Sequence, residues 1–124
     1  MKVLIVEDET IAYEFLSKLL KKVDSEIEIV AVTESISQTV KFLQSNPSLD
    51  LILMDIHLSD GLAFSIFDLI TIETPIIFTT AFDEYAINAF KVNSIDYLLK
   101  PVQEEELRKA IEKFRKLTDR KSVV

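Results

Sequence analysis

Asp8, Asp55, Thr80 and Lys100 each sit at or just past the end of a short apolar run: Val3 to Val6, Leu51 to Met54, Ile76 to Phe78 and Tyr97 to Leu99. Each run is short enough for a buried strand. If they lie parallel in one sheet, all four groups reach the same edge, beyond the carboxyl ends of the strands, where open α/β sheets bind ligands. Glu7 joins them if the first and third strands are neighbours. Carboxylates so close oppose one another unless a proton or cation intervenes, and a hard divalent ion with oxygen ligands is the natural remedy. Mg²⁺ takes only one or two carboxylates plus waters and a substrate phosphate, which leaves a carboxylate for other work. Asp55, between the apolar strand and the polar loop His57 to Gly61, is the best placed to be a nucleophile, and carboxylates do form acyl phosphates. Attack on a phosphoryl group needs its spreading charge neutralised, which Mg²⁺ and Lys100 would do. Thr80 would hydrogen-bond a phosphoryl oxygen, and Ala81 beside it leaves room for the group.

The elements that must position these groups alternate between strand-like runs and amphipathic helices, the pattern of repeated βα units and a parallel sheet covered on both faces. Strands are expected at about Lys2 to Val6, Ile27 to Val32, Leu51 to Met54, after Pro75, and Ile95 to Leu99. The first helix, about Ile11 to Lys22, carries Ala12, Phe15, Leu16, Leu19, Leu20 and Val23 at helical spacing, read as core. The second, about Ser35 to Gln44, is capped by Ser35 or Thr33 and stopped near Asn46 and Pro47. A third is expected from near Leu62 to about Ile70 after a turn at Asp60 and Gly61, and a fourth from about Glu84 to Phe90. The last, about Glu104 to Leu117, has its acids first and its bases last, which suits the helix dipole.

Composition narrows the chemistry. At 124 residues and 48% apolar, the chain suits one domain with a proper core. It has no cysteine, so disulfides, thiol catalysis and thiolate metal sites are excluded together. A formal charge of −7 disfavours direct nucleic-acid binding, which needs clustered Lys and Arg. Glycine occurs once, at Gly61, so a glycine-rich nucleotide loop cannot be built. Met1 to Val6 does not read as a signal peptide, and no stretch approaches the roughly 20 apolar residues of a membrane-spanning helix. A cytoplasmic protein that does not engage a membrane is the expectation.

The ordered motifs resemble the receiver domain of a two-component response regulator. They are Glu7 and Asp8 after the first strand, Met54 and Asp55 after the third, Thr80 and Ala81 after the fourth, and Lys100 with Pro101 after the fifth. The resemblance covers essentially the whole chain. The segment FDEYAINAFKVNSIDYLLKP, from Phe82 to Pro101, further resembles receivers of the LytTR branch, whose output is a DNA-binding domain. The resemblance implies a flavodoxin-like (βα)5 fold with strand order 2-1-3-4-5. It implies Asp55 as phosphoacceptor, and Mg²⁺ held by Asp8, Asp55, the His57 backbone carbonyl and, through water, Glu7. Thr80, Ala81 and Lys100 would contact the phosphoryl group, Thr80 and Tyr97 would form the switch, and the bond before Pro101 would be cis. The implied partners are a sensor histidine kinase and, on phosphorylation, a second copy joined through the fourth helix, fifth strand and fifth helix. Surface candidates on that face are Lys91, Asn93 and Asp96, with Tyr85, Ala86, Ala89 and Phe90 on the fourth helix. Residues 1–118 would form the receiver and 119–124 a tail or linker stub.

Plainer readings exist for each residue taken alone. Asp and Glu are favoured in the first turn of any helix. Thr79 competes with Thr80 by one position, and the pairing with Ala81 favours Thr80. His57, the only histidine, is read as functional through its backbone carbonyl. The rival activity is a metal-dependent aspartyl-phosphate phosphohydrolase, but such enzymes usually carry an acid two residues after the nucleophile, where this chain has His57. The turn Leu58 to Gly61 is shorter than in many receivers and lacks their proline, a departure that falls at the start of the third helix and beside the implied metal site.

Overall fold

The computed structural model describes residues 1–81 and 94–122. The expected fourth helix, with Tyr85, Ala86, Ala89, Phe90, Lys91 and Asn93, lies outside the described residues. Chain order is β1 (Lys2–Val6), α1 (Thr10–Val23), β2 (Glu28–Thr33), α2 (Ile36–Gln44), β3 (Leu51–Asp55), β4 (His57–Leu58), β5 (Gly61–Leu62), a 3₁₀ turn (Ala63–Ser65), α3 (Ile66–Leu69), β6 (Ile76–Thr80), β7 (Ser94–Leu99) and α4 (Glu104–Ser122). The main sheet is parallel, in the order β2-β1-β3-β6-β7. With β4 and β5 set apart as a small hairpin, this is the expected 2-1-3-4-5 order.

Strand alternation decides which side chains feed which layer. Val3, Ile5, Leu51, Leu53 and Ile77 point to one face and pack with Leu16, Leu19 and Leu20 of α1 and Leu107, Ala110, Ile111 and Phe114 of α4. Leu4, Val6, Ile52, Met54, Ile76 and Phe78 point to the other and pack with Ile36 and Ile66. The phenyl rings of Phe64 and Phe67 lie against Phe78, with centroids 5.3 and 6.4 Å away. Burial on both faces explains why β1, β3 and β6 are near-continuous apolar runs rather than alternating ones.

Two elements depart from expectation. The segment after Asp55 first folds into the antiparallel hairpin β4-β5, pairing His57 with Leu62 and Leu58 with Gly61. The third helix is thereby reduced to the 3₁₀ turn and the short α3. Gly61 makes this possible with φ +138°, a conformation L side chains rarely adopt. The last helix runs to Ser122 rather than Leu117, since no Gly or Pro stops it. On α1, Phe15 is 49% exposed and so is not the core residue its spacing implied; Ile11, 82% exposed, lies one turn before it. No helix among the described residues is long and apolar enough to cross a membrane.

Candidate functional site

The carboxyl ends of β1, β3, β6 and β7 bring the sequence-selected groups to one edge. Glu7 and Asp8 follow β1, Asp55 ends β3, Thr80 ends β6 and Lys100 follows β7. One oxygen from each of Glu7, Asp8 and Asp55 lies within 4.8 Å of the others. Asp55 is 5% exposed and Glu7 3%. The Lys100 ammonium donates to Glu7 Oε1 at 2.6 Å and to Asp55 Oδ2 at 3.0 Å. Glu7 Oε2 also accepts the Glu9 backbone N–H at 3.3 Å, and Asp55 Oδ1 accepts that of His57 at 3.3 Å. Asp8, Asp55, His57, Ala81 and Lys100 line one cleft of about 270 Å³.

Thr80 is fully buried at the end of β6, and its carbonyl accepts the Lys100 N–H at 2.7 Å. Thr79, its rival by one position, lines a second cavity on the α1 side with Glu7 and Lys100. Tyr97 pairs in register with Phe78 and is half-buried against the Phe78 layer. The Lys100–Pro101 peptide is cis.

Lys100 supplies one positive charge against three carboxylates, and the titration behaviour follows from that shortfall. Burial pushes the Glu7 carboxyl above its ordinary value; the Lys100 hydrogen bond opposes this and nearby Asp55 reinforces it. Asp8 is also raised, by burial and then by its hydrogen bond and charge contact with Glu7. For Lys100, burial disfavours the charge, but Glu7 and Asp55 outweigh it and the ammonium titrates above its usual range. Raised acids beside a raised base are what a site short of positive charge should show. Hard oxygen donors at this spacing fit a small divalent cation.

The metal-free protein is therefore expected to lose stability as pH rises above about 4.5, the ordinary value for Glu7. In that window the folded chain keeps protons on Glu7 and Asp8 that the unfolded chain has released, so the slope of stability against pH is negative. Asp24 and Asp60 have lowered values, Asp24 chiefly through the Glu26 N–H and then Arg115, Asp60 chiefly through the Ile36 N–H. Their contribution is present above the ordinary 3.8 and fades in stronger acid, outside that window. Urea unfolding across pH 4.5 to 7 checks this, and millimolar Mg²⁺ should flatten the curve; a metal-free curve that rises with pH contradicts it.

A sequence profile described as the response regulator receiver domain matches residues 3–112. The chain belongs to the response regulator receiver family. This receiver is 37% identical over 120 residues to sensory transduction protein LytT of Bacillus subtilis, covering 94% of this chain and 49% of that protein. It is 39% identical over 117 residues to transcriptional regulatory protein YpdB of Escherichia coli, covering 92% of this chain and 47% of YpdB. The receiver thus spans about half the length of these relatives. Among solved structures, the response regulatory domain of protein mrkE from Klebsiella pneumoniae superposes with a TM-score of 0.81 at 35% identity, over 97% of this chain and 99% of that one. Receivers generally use Mg²⁺, response regulators interact with sensor histidine kinases, and the domain is a signalling module rather than a conventional enzyme.

Sequence reasoning missed two features of this receiver. One is the contact of Asp60 with the start of α2. The other is a groove of about 420 Å³ beside the site, lined by Ile11, Ala12, Phe15, Leu16, Pro101 and Val102 and opening onto Glu7 and Lys100. The apolar stripe of α1, wider than its core contact needs, was the available signal for the groove.

Proposed function

We propose that this receiver takes a phosphoryl group from the phosphohistidine of a sensor kinase onto Asp55 in a Mg²⁺-dependent step, and that the modification switches its partner-binding face. An Asp55 carboxylate oxygen attacks phosphorus, the P–N bond breaks, and its electron pair ends on the histidine nitrogen, which takes a proton from solvent. Mg²⁺ would be held by Asp8, Asp55 and the His57 carbonyl, with Glu7 acting through water, and would neutralise charge on the carboxylates and the transferring group. Lys100 moves its ammonium from the carboxylates to the phosphoryl oxygens. Thr80 and Ala81 flank the new group, and Thr80 and Tyr97 carry the switch. The apolar groove around Ile11 and Phe15 docks the phosphodonor, because exposed apolar surface beside a reactive site marks an interaction face.

The observation that carries this reading is the Lys100 ammonium bridging Glu7 and Asp55 inside a cluster of three carboxylates. Phosphorylation adds a charge of about −1.5 to −2 at Asp55, and the bistable equilibrium it biases controls self-association. Leu99, which ends β7, is a large exposed apolar residue on the expected dimer face. Residues 1–118 form the receiver and 119–124 a tail or linker stub. The output is transcription through a LytTR-type domain, and the setting is the cytoplasm. Incubation with a small phosphodonor and Mg²⁺, followed by intact-mass measurement, tests the reading. One phosphate is expected per chain, mapped to Asp55 and lost on chelation of the metal; no adduct, or an adduct indifferent to chelation, refutes it.

A further inference from the structure

The hairpin that follows Asp55 has no place in the main sheet and consists of two residue pairs around a Ser59-Asp60 turn. A ribbon this short is not stable alone. Part of what holds it is local: Ile56 N–H bonds the Thr79 carbonyl at 3.0 Å, and Ala63 N–H bonds the Ile56 carbonyl at 2.7 Å. The tip is held from a distance. Asp60 Oδ1 accepts the Ile36 N–H at 2.7 Å and Oδ2 accepts the Ser37 N–H at 3.2 Å, across 24 and 23 positions of sequence. Ile36 and Ser37 are the first two residues of α2, whose opening amides lack partners within the helix. Ser35, the N-cap, already serves the Gln38 N–H at 3.1 Å, so Asp60 is not the helix's own cap but a tie from another loop. A carboxylate is well suited to it, since the helix dipole favours negative charge there.

The same end of α2 is fastened to the other acidic loop. Thr39 Oγ1 donates to the Ser35 carbonyl at 2.7 Å, and the Thr33 and Thr39 hydroxyls are buried 2.7 Å apart. The Thr33 carbonyl accepts the Glu7 N–H at 2.9 Å. A continuous hydrogen-bonded brace therefore runs from Glu7 through Thr33, Thr39 and Ser35 to the start of α2, and from there through Asp60 to the hairpin that leaves Asp55.

We propose that Asp60 is a positioning residue: by clamping the hairpin to α2 it sets the spacing between the Glu7-Asp8 loop and the Asp55-His57 loop, and with it the affinity of the acidic cleft for a divalent cation. This rests on the reading of that cleft as a Mg²⁺ site. Without Asp60 the hairpin keeps the burial of Leu58 and Ala63 and the bond of the Ser59 hydroxyl to the Glu34 carbonyl at 3.4 Å, but its tip loses both bonds to the α2 amides, and the cation would bear more of the cost of ordering its ligands.

The test is direct binding of Mg²⁺ alone, by calorimetric or NMR titration of the full chain, on wild type, Asp60→Ala, Asp60→Asn and Asp50→Ala. Asp50 is the matched control, because its carboxylate accepts the Lys2 N–H at 2.7 Å and ties β1 to the start of β3 at the opposite end of the sheet. Asp60→Ala is expected to weaken Mg²⁺ about tenfold, the scale on which groups that orient metal ligands act. Asp60→Asn keeps an acceptor oxygen and should recover most of the affinity, while Asp50→Ala leaves it unchanged. If Asp60→Ala does not fold, Asp60→Ser, whose shorter side chain reaches one amide at most, should show the weakening in part. Wild-type affinity in Asp60→Ala, or in Asp60→Ser where the alanine variant does not fold, or an equal loss in Asp50→Ala, overturns the positioning role while leaving the metal site standing. Absence of Mg²⁺ binding in the wild type overturns both.

Discussion

Asp55→Asn is expected to abolish the phosphate adduct while leaving the metal-free protein as stable as wild type or more so. The loss of reactivity is chemical: the amide has no free carboxylate to attack phosphorus and make the acyl phosphate. The gain in stability comes from the surroundings. Asp55 is almost fully buried within a cluster of three carboxylates, and its charge helps hold Glu7 above its ordinary value. Removing it leaves Lys100 at 2.6 Å from Glu7 with one competitor fewer. The lost Lys100 contact at 3.0 Å opposes this, but Lys100 keeps its shorter bond to Glu7, so the substitution leaves no unpaired buried charge, which is what makes breaking a buried pair costly. Denaturant unfolding at neutral pH measures the balance. The decline of stability with pH expected for the wild type should also be shallower in the variant. A variant that still accepts phosphate, or one destabilised by several kcal/mol, is incompatible with the site described.

Lys100→Ala is expected to have the opposite profile, damaging both stability and transfer. Its side chain is about three-quarters buried and its ammonium is shared between Glu7 and Asp55. Removing one partner of a buried pair costs about 3–5 kcal/mol, and partial exposure brings the expected figure here to about 1–3 kcal/mol. The loss should be largest near neutral pH and shrink in acid, because the stranded carboxylates then neutralise by taking protons. Saturating Mg²⁺ should recover much of it, since the cation supplies the missing charge. Transfer should not recover, because the phosphoryl oxygens lose a fixed positive partner, an effect of about 10²- to 10³-fold. Unfolding with and without Mg²⁺, together with single-turnover phosphorylation at saturating Mg²⁺, separates the two roles. If stability falls equally at all pH values, Lys100 acts through packing of its stem and not through charge.

The two substitutions mark how charge is distributed in this receiver. The fold gathers more negative charge than its lysine neutralises, and the excess is tolerated because folding stability comes from elsewhere, chiefly the two apolar layers of the sheet. The Asp60 brace extends the same logic to geometry. Holding like charges together without a cation requires bonds outside the cluster, and the hydroxyls of Thr33 and Thr39 with the opening amides of α2 supply them.

The strand order was implied by the resemblance to receivers, whereas the sequence alone determined the alternation of strands and helices behind a five-stranded parallel sheet and the identity of the clustered groups. Those features rest on local signals: apolar runs bounded by reactive residues, helical spacing between them, and Ser35 before α2. The four motifs in order also settled the family before any geometry was known. The tertiary structure alone decided three things. It showed that the segment after Asp55 forms a hairpin before its helix, because four residues with one glycine satisfy a turn and a helix start equally well until Ile36 and Asp60 are brought together. It showed that Phe15 faces solvent, because spacing identifies a stripe and not the width of the surface that covers it. It showed that Lys100 is bound to Glu7 as well as to Asp55, a contact across 93 positions. Such pairings depend on where strands end relative to one another, and that register is set by packing across the whole sheet.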